Sequence, residues 1–292
     1  TLVSEFMLQQ TQVTTVIPYF NNFIRDIPNL TSLSKISDGK LLKYWEGLGY
    51  YSRVKNLKKT AQIIELKFKG RLPRNIDELK SLPGIGDYTS NAIMAIAFNK
   101  PFIPLDGNIE RLIKRILNLK LAHEISKKNL IKKKELFGTS MRSSDYAQAL
   151  MELGALICRP KNPLCSQCPL KKNCKSFKKN DFEIPKQGKK RITKFYLVKV
   201  YKKSNRFLLI KNTKFNFLKN LKIFPMKQIC KPNDLAGALN FKISNMNMNV
   251  IIKFVKHNSE IPYSSWIDSS KLNSYTLPTF TKKIFVYLDK FK

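Results

Sequence analysis

From Thr1 to about Lys178, apolar residues recur at spacings of three and four, the period of an amphipathic helix. Leu41, Leu42, Trp45 and Leu48 form one such run, and Leu57, Ala61, Ile64 and Leu66 another. Breaks at Pro28, at Gly47 and Gly49, from Gly70 to Pro73, and from Pro83 to Gly86 cut the region into short helices. After Cys174 the pattern changes. The stretch SFKKNDFEIPKQGKKRITK is polar, basic and marked by Pro and Gly, which reads as a linker. Beyond it, FYLVKVYKKSNRFLLIK alternates apolar and polar residues around a turn at Lys202 to Asn205, predicting a β-hairpin. NMNVIIKFV and KKIFVYL read as further strands. The expected organisation is therefore a mainly α domain over 1–178, a linker over 179–194, and a smaller, strand-rich domain over 195–292.

Composition narrows the function. A chain of 292 residues, 43% hydrophobic, is long enough for two cores. No apolar run approaches the roughly 20 residues that a membrane span needs, so we expect no membrane partner. The 54 Lys and Arg against 20 Asp and Glu give a formal net charge of +34. Such an excess favours a polyanion through counterion release, with nucleic acid the default candidate. Lys, Asn and Ile are enriched together, as in an AT-rich genome, so charge alone puts nucleic acid only modestly ahead.

Four of the five cysteines fall within one loop: Cys158, Cys165, Cys168 and Cys174, in CRPKNPLCSQCPLKKNC. Four thiolates from a short, turn-rich segment can close around one metal centre, and both zinc and a four-iron cluster accept such a set. Disulfides are the bland alternative. The spacing within one loop and the absence of a secretory signal disfavour them. Cys230, far away, is expected to be a small buried apolar residue.

Three further places carry candidate chemistry. In ELKSLPGIGDYTSNAIMAIA, Gly84 and Gly86 flank Ile85 between two helical stretches. Such a hairpin can present backbone N–H groups to a phosphate oxygen without any side chain, although it could equally be a plain helix connection. In PFIPLDGNIERLIKRIL, Asp106 precedes a helix, where an acid is most often only an N-cap. Glu5 stands alone among the apolar and uncharged residues of TLVSEFMLQQTQ. Burial there predicts a raised pKa. A raised carboxyl beside an ionised one suits the breaking of a glycosidic bond.

SEFMLQQTQVTTVIPYF, WEGLGYYSRVKNL, LPGIGDYTSNAI, LDGNIERLIKR, ALMELGALIC and the cysteine loop occur in the order expected of a MutY-type adenine DNA glycosylase. This region resembles that family, a branch of the endonuclease III helix-hairpin-helix superfamily. The resemblance implies a six-helix module with a helix-hairpin-helix, and an iron-sulfur module in which the four cysteines hold one four-iron, four-sulfur cluster (4Fe-4S). It implies Glu5 as the general acid at adenine N7 and Asp106 as the stabiliser of the sugar cation. Tyr88 and Asn108 would hold Asp106 in place. Tyr88 also stands where lyase members carry lysine, so strand cleavage should be weak or absent. Gln10, Leu48 and Tyr50 would fill the gap left by a flipped adenine, and Gln148 would line its pocket. Read without the resemblance, Leu48 and Tyr51 belong to a core and Gln10 to the surface. The loop basic residues Arg159, Lys161, Lys171 and Lys172 would face DNA phosphates.

The stretches FNFLKNLKIFPM, KISNMNMNVIIKFV and YTLPTFTKKIFVYL resemble the family's Nudix-like domain, which reads 8-oxoguanine opposite the target adenine. No G-x5-E-x7-R-E-x2-E-x-G run occurs, so Nudix hydrolysis is not expected. Ser244 fits the lesion-contacting loop; Asn245 stands where a histidine is common. The family also has a helix ahead of the SE motif, and the chain starts at Thr1, so we expect an N-terminally incomplete sequence. The implied protein is a monomeric, cytoplasmic bacterial enzyme of base excision repair. Its substrate would be double-stranded DNA containing A opposite 8-oxoguanine or G. The rivals are a thymine-mismatch glycosylase of the same superfamily and a catalytically silent DNA-damage binder; retention of both Glu5 and Asp106 speaks against the silent binder.

Overall fold

The computed structural model describes residues 1–121, 123–184, 191–243, 245–256 and 261–289. In chain order its helices are α1 (Leu2–Leu8), α2 (Val13–Asp26), α3 (Leu30–Lys35), α4 (Asp38–Tyr44), α5 (Ser52–Phe68), α6 (Ile76–Ser81), α7 (Asp87–Ala92), α8 (Gly107–Ile116), α9 (Lys127–Lys133), α10 (Ser143–Glu152), α11 (Lys175–Lys178) and α12 (Thr279–Leu288). The strands are β1 (Ile192–Val200), β2 (Lys202–Lys203), β3 (Arg206–Lys211), β4 (Lys222–Ile223), β5 (Met226–Ile229), β6 (Leu239–Ile243), β7 (Met246–Phe254) and β8 (Ser264–Asp268). Contacts divide the chain into two compact units. One joins Thr1–Ile36 to Lys55–Gln187; the other joins Ser37–Val54 to Gly188–Lys292.

In the first unit, α3, α6 and α8 are short segments started by side-chain caps. Asn29 accepts from the Ser32 N–H at 2.8 Å, and Asn75 from the Asp77 N–H at 2.8 Å. Asp106 does the same for α8, accepting from the Ile109 N–H at 2.7 Å. On α8, Ile109, Leu112, Ile113 and Ile116 fall on one face and pack with Leu105, Leu130 and Leu150. Each such burial contributes about 1.5–3 kcal/mol relative to exposure. The predicted run on α5 is buried at Leu57, Ala61 and Ile64, but Leu66 is off that face and 85% exposed. Helices α7 and α10 both end in π-turns, Ile93–Ala97 and Leu153–Ile157.

The second unit contains two four-stranded sheets. In one, the order is β5-β1-β7-β6, with β1 and β7 parallel. In the other, β3 pairs with β2, β4 and β8. The hairpin predicted around Lys202 to Asn205 is smaller than expected. Only β2 pairs with β3 across Ser204, which has a φ of 49°. β1 belongs to the other sheet, because the chain changes sheets at the buried Tyr201. The strand predicted for NMNVIIKFV is β7.

KKIFVYL is a correction: it lies in helix α12. Its β-branched and aromatic residues favour a strand. Yet the buried positions Phe280, Thr281, Ile284, Phe285 and Leu288 repeat at helical spacing, and burial against Phe207, Phe224 and Ile223 decides. Cys230 is a second correction. It follows β5, which among the described residues pairs with β1 alone, and it is exposed rather than buried.

Candidate active site and nucleic-acid interface

Glu5 on α1, Tyr88 on α7 and Asp106 ahead of α8 come within electrostatic reach of one another in the first unit. Glu5 is 3% exposed, and its Oε2 is buried with no hydrogen-bond partner among the described residues. The Tyr88 hydroxyl donates to the Glu5 carboxylate. Burial pushes the Glu5 carboxyl above its usual range; the Tyr88 hydrogen bond opposes the shift and the Asp106 charge adds to it. Burial, then the Glu5 and Asp106 charges, drive the Tyr88 phenol far above its ordinary value, so it remains a donor.

Asp106 differs from Glu5 in its partners. Its Oδ1 accepts from the Ile109 N–H at 2.7 Å, and its Oδ2 accepts from the Asn108 side-chain amide at 2.9 Å. Burial raises its pKa too, but these donors and the Arg111 charge pull the other way. Of the two buried carboxyls, the one with the bare oxygen is the better place for a proton. Asp106 thus fulfils the N-cap expectation and has its second oxygen held as well.

Residues that the sequence did not single out complete this arrangement. The Arg111 guanidinium donates to Asn108 Oδ1 at 2.9 Å, to the Cys158 carbonyl at 2.7 Å and to the Gly154 carbonyl at 2.5 Å. Gly154 has to be glycine: a Cβ there would stand 2.6 Å from the Asn108 Cβ. Arg115, buried on α8, donates to the carbonyls of Arg159 at 2.7 Å and Pro160 at 2.9 Å, and to Cys158 Sγ at 3.3 Å. The signal for both arginines was the helical spacing in GNIERLIKR, which puts Arg111 and Arg115 one turn apart.

Cys158, Cys165, Cys168 and Cys174 line one cavity with Arg115 and Phe177. All four are free thiols, with no disulfide among them. Burial, then the neighbouring Cys158, Cys168 and Cys174, push the Cys165 thiol up. Among the described residues, no group of three or more His, Cys, Asp or Glu side chains is arranged to hold a metal ion. Four thiol side chains lining one cavity are the donor type that a multi-iron cluster takes. The cavity also supplies the Arg115 guanidinium to balance thiolate charge.

At the hairpin, Gly84 has a φ of +83°, and a Cβ there would lie 2.8 Å from Phe6 Cε1 and 3.0 Å from Asn56 Cβ. Gly86 is different: a Cβ would meet nothing within 4 Å. Thr60 Oγ1 donates to the Pro83 carbonyl at 2.9 Å. Gln9 Nε2 donates to the Gly84 carbonyl and to Thr89 Oγ1, both at 3.3 Å. Gln9, not singled out in the sequence, thereby ties LQQTQ to the hairpin. Asp87 pairs with Lys80 at 2.9 Å, and Lys127 and Lys134 also act on it.

The remaining predicted residues belong to both units. Gln10 is exposed and has a φ of 59°. Tyr50, in the second unit, is 43% exposed with a φ of 47°, whereas Leu48 and Tyr51 are buried. A positive φ at a non-glycine residue is strained and concentrates at functional places. Gln148 is exposed on α10, its amide donating to the Ser144 carbonyl at 3.2 Å. Asn245 is exposed at the turn between β6 and β7; Ser244 lies outside the described residues. Arg159, Lys161 and Lys172 are exposed and Lys171 half-buried. Among the described residues, no helix is long and apolar enough to cross a membrane.

A family model for HhH-GPD superfamily base excision DNA repair proteins matches residues 3–135, the stretch holding Glu5, the hairpin and Asp106. An adenine DNA glycosylase of Buchnera aphidicola subsp. Baizongia pistaciae is 36% identical over 100% of this chain and 90% of its own length. The human adenine DNA glycosylase is 39% identical over 60% of this chain and 32% of its own length. The chain belongs to the adenine DNA glycosylase family of base excision repair proteins. Among solved structures, a thermostable thymine-DNA glycosylase matches with a TM-score of 0.53 and 27% identity, over 61% of this chain and 83% of its own. An endonuclease III bound non-covalently to DNA also matches with a TM-score of 0.53, at 24% identity over the same shares, and shows the fold alone.

Proposed function

We propose that this protein is a monofunctional adenine DNA glycosylase that hydrolyses the N-glycosidic bond of adenine opposite 8-oxoguanine or guanine in duplex DNA. One observation carries the reading: a buried Glu5 carboxyl with a bare oxygen, held by the Tyr88 hydroxyl within reach of the Asp106 charge. Protonation of adenine N7 by Glu5 lets the base leave neutral. Asp106, whose donors favour its charged form against burial, stabilises the oxocarbenium-like sugar or traps it covalently before water attacks. Tyr88 and Asn108 hold the two carboxyls in working order. With tyrosine at position 88 no Schiff base forms there, so strand cleavage is weak or absent.

Adenine is reached by flipping, which leaves a gap in the stack. Gln10, Tyr50 and Leu48 are the proposed wedge; the buried Leu48 has to leave its packing to serve. The hairpin backbone at Gly84 and Gly86 takes a phosphate, and the open space in front of Gly86 leaves room for it. Gln148 is the proposed pocket residue. In the C-terminal region, which we read as Nudix-like, Ser244 and Asn245 are the proposed contacts to 8-oxoguanine. A 4Fe-4S cluster on Cys158, Cys165, Cys168 and Cys174 would act as a structural and electrostatic centre. These residues would bind it, and Arg115 would offset its thiolate charge. The net charge of +34 supports DNA as the partner.

Glu5→Gln tests the assignment. Affinity for a duplex with A opposite 8-oxoguanine is expected to persist while base release falls by about 10²–10⁴-fold. Undiminished release by the variant would remove Glu5 from the mechanism. Preferential release of thymine opposite guanine by the unaltered protein would instead favour the thymine-mismatch reading.

A further inference from the structure

The loop between α4 and α5 is gripped at one residue by the C-terminal region of its own unit. Glu46 Oε1 accepts from the Leu277 N–H at 3.2 Å and from Lys282 Nζ at 2.7 Å, and Lys43 Nζ lies 3.4 Å from Oε2. The Glu46 side chain is 11% exposed, so little water competes for it. Burial raises its pKa, but Lys282, the Leu277 N–H and Lys43 outweigh that and hold the carboxyl below its usual range. The other side of the contact is rigid: Leu277, Phe280 and Thr281 are buried, and Thr281 Oγ1 donates to the Lys222 carbonyl at 3.0 Å.

The backbone that follows Glu46 turns through positive φ, which two glycines adopt freely and Tyr50 only at a cost. Gly47, Gly49 and Tyr50 have φ values of 107°, 72° and 47°. Arg53 closes the loop from within, donating to the Leu48 carbonyl at 3.1 Å and the Gly49 carbonyl at 3.2 Å. Its guanidinium lies 5.4 Å from both the Trp45 and Tyr50 ring centroids. A short loop held at a half-exposed ion pair on one side and at Arg53 on the other has few ways to move without disturbing one of them.

We propose that Glu46 is a positioning residue that couples recognition of the base opposite adenine to insertion of Tyr50 and Leu48. Its carboxylate fixes the start of the loop to residues 277–282, so a shift of the C-terminal region on its base is delivered to the loop. This rests on the reading of Tyr50 and Leu48 as a wedge. The ligand class is a purine with a changed edge opposite the flipped base. What the contact transmits is geometry, not a proton.

The test is single-turnover base release by the full chain on duplexes with A opposite 8-oxoguanine and A opposite G. A fluorescent 2-aminopurine at the target position would report flipping. Glu46→Gln and Lys282→Met are each expected to slow release opposite 8-oxoguanine by about fivefold, as befits one half-exposed ion pair. Both should lower the flipping signal and leave release opposite G within about twofold. Combined, they should cost no more than either alone, since each removes the same contact. Lys282 is 41% exposed, so its variant should fold. Equal slowing on both duplexes, losses that multiply, or no loss would each overturn the proposal. Tyr50→Ala separates the two claims. If it leaves flipping intact, the wedge reading fails; if it abolishes flipping while the Glu46 and Lys282 variants do nothing, only the coupling fails.

Discussion

Arg111 joins Asn108 to Cys158: one guanidinium donates to the Asn108 side-chain oxygen at 2.9 Å and to the Cys158 backbone carbonyl at 2.7 Å. Asn108 in turn donates to Asp106. A single side chain thus links the carboxylate proposed to meet the sugar cation with the first cysteine of the loop. Arg111→Met should lower single-turnover base release by about 10–100-fold, the worth of losing charge-assisted hydrogen bonds that leave buried acceptors bare. Arg111→Lys should recover little, because an ammonium cannot span the fork. Wild-type rates in Arg111→Met would show that Asn108 needs no such support.

Glu5 has a stability signature as well as a catalytic one. Its folded pKa lies above the usual 4.5, so folding favours its protonated form. The stabilisation from that proton is fully present below about pH 4.5 and is lost as pH rises through the folded value. Glu5→Gln should therefore melt at a higher temperature than wild type at neutral pH, with the gap closing as pH falls toward 4.5. Equal melting temperatures throughout would mean that the carboxyl is not buried as described.

The two hairpin glycines should separate folding from binding. Gly84→Ala forces a Cβ to 2.8 Å from Phe6 at a positive φ and should lower the melting temperature, by about 1–3 kcal/mol of stability. Gly86→Ala meets no protein atom and should leave melting nearly unchanged while weakening duplex binding. Unchanged binding by Gly86→Ala would remove the phosphate from that position.

Asp87 is an acid on a surface proposed to meet phosphates, and it pairs with Lys80 at 2.9 Å. Asp87→Asn releases that ammonium. Duplex affinity should rise, and the slope of log affinity against log salt should steepen by about one unit. A flat response would show that neither residue lies at the DNA surface.

Local physics was legible in the sequence; distant pairings were not. Glu5 in an uncharged run, the breaks that separate the helices, and the tight turn at Gly84 all depend on neighbours within a few positions. Helix α12 carries strand-favouring residues that act locally, whereas the core against Phe207 and Phe224 decides from afar. The strand β1 was legible but its pairing was not, since its parallel partner β7 is 54 residues away along the chain at Ile192↔Met246. The Arg111–Gly154 contact joins residues 43 apart, a separation that no local pattern carries. Tyr50 and Gln10 were singled out by resemblance, and their left-handed backbone is a property no periodicity reveals.

The most direct measurement is incubation of the purified protein with duplexes holding A opposite 8-oxoguanine, A opposite G, and T opposite G. Products would be developed with alkali, and with heat alone to score strand cleavage. Adenine release opposite 8-oxoguanine and guanine, visible only after alkali, is the predicted result. Cleavage confined to the thymine duplex, or binding with no base release at all, would contradict the account.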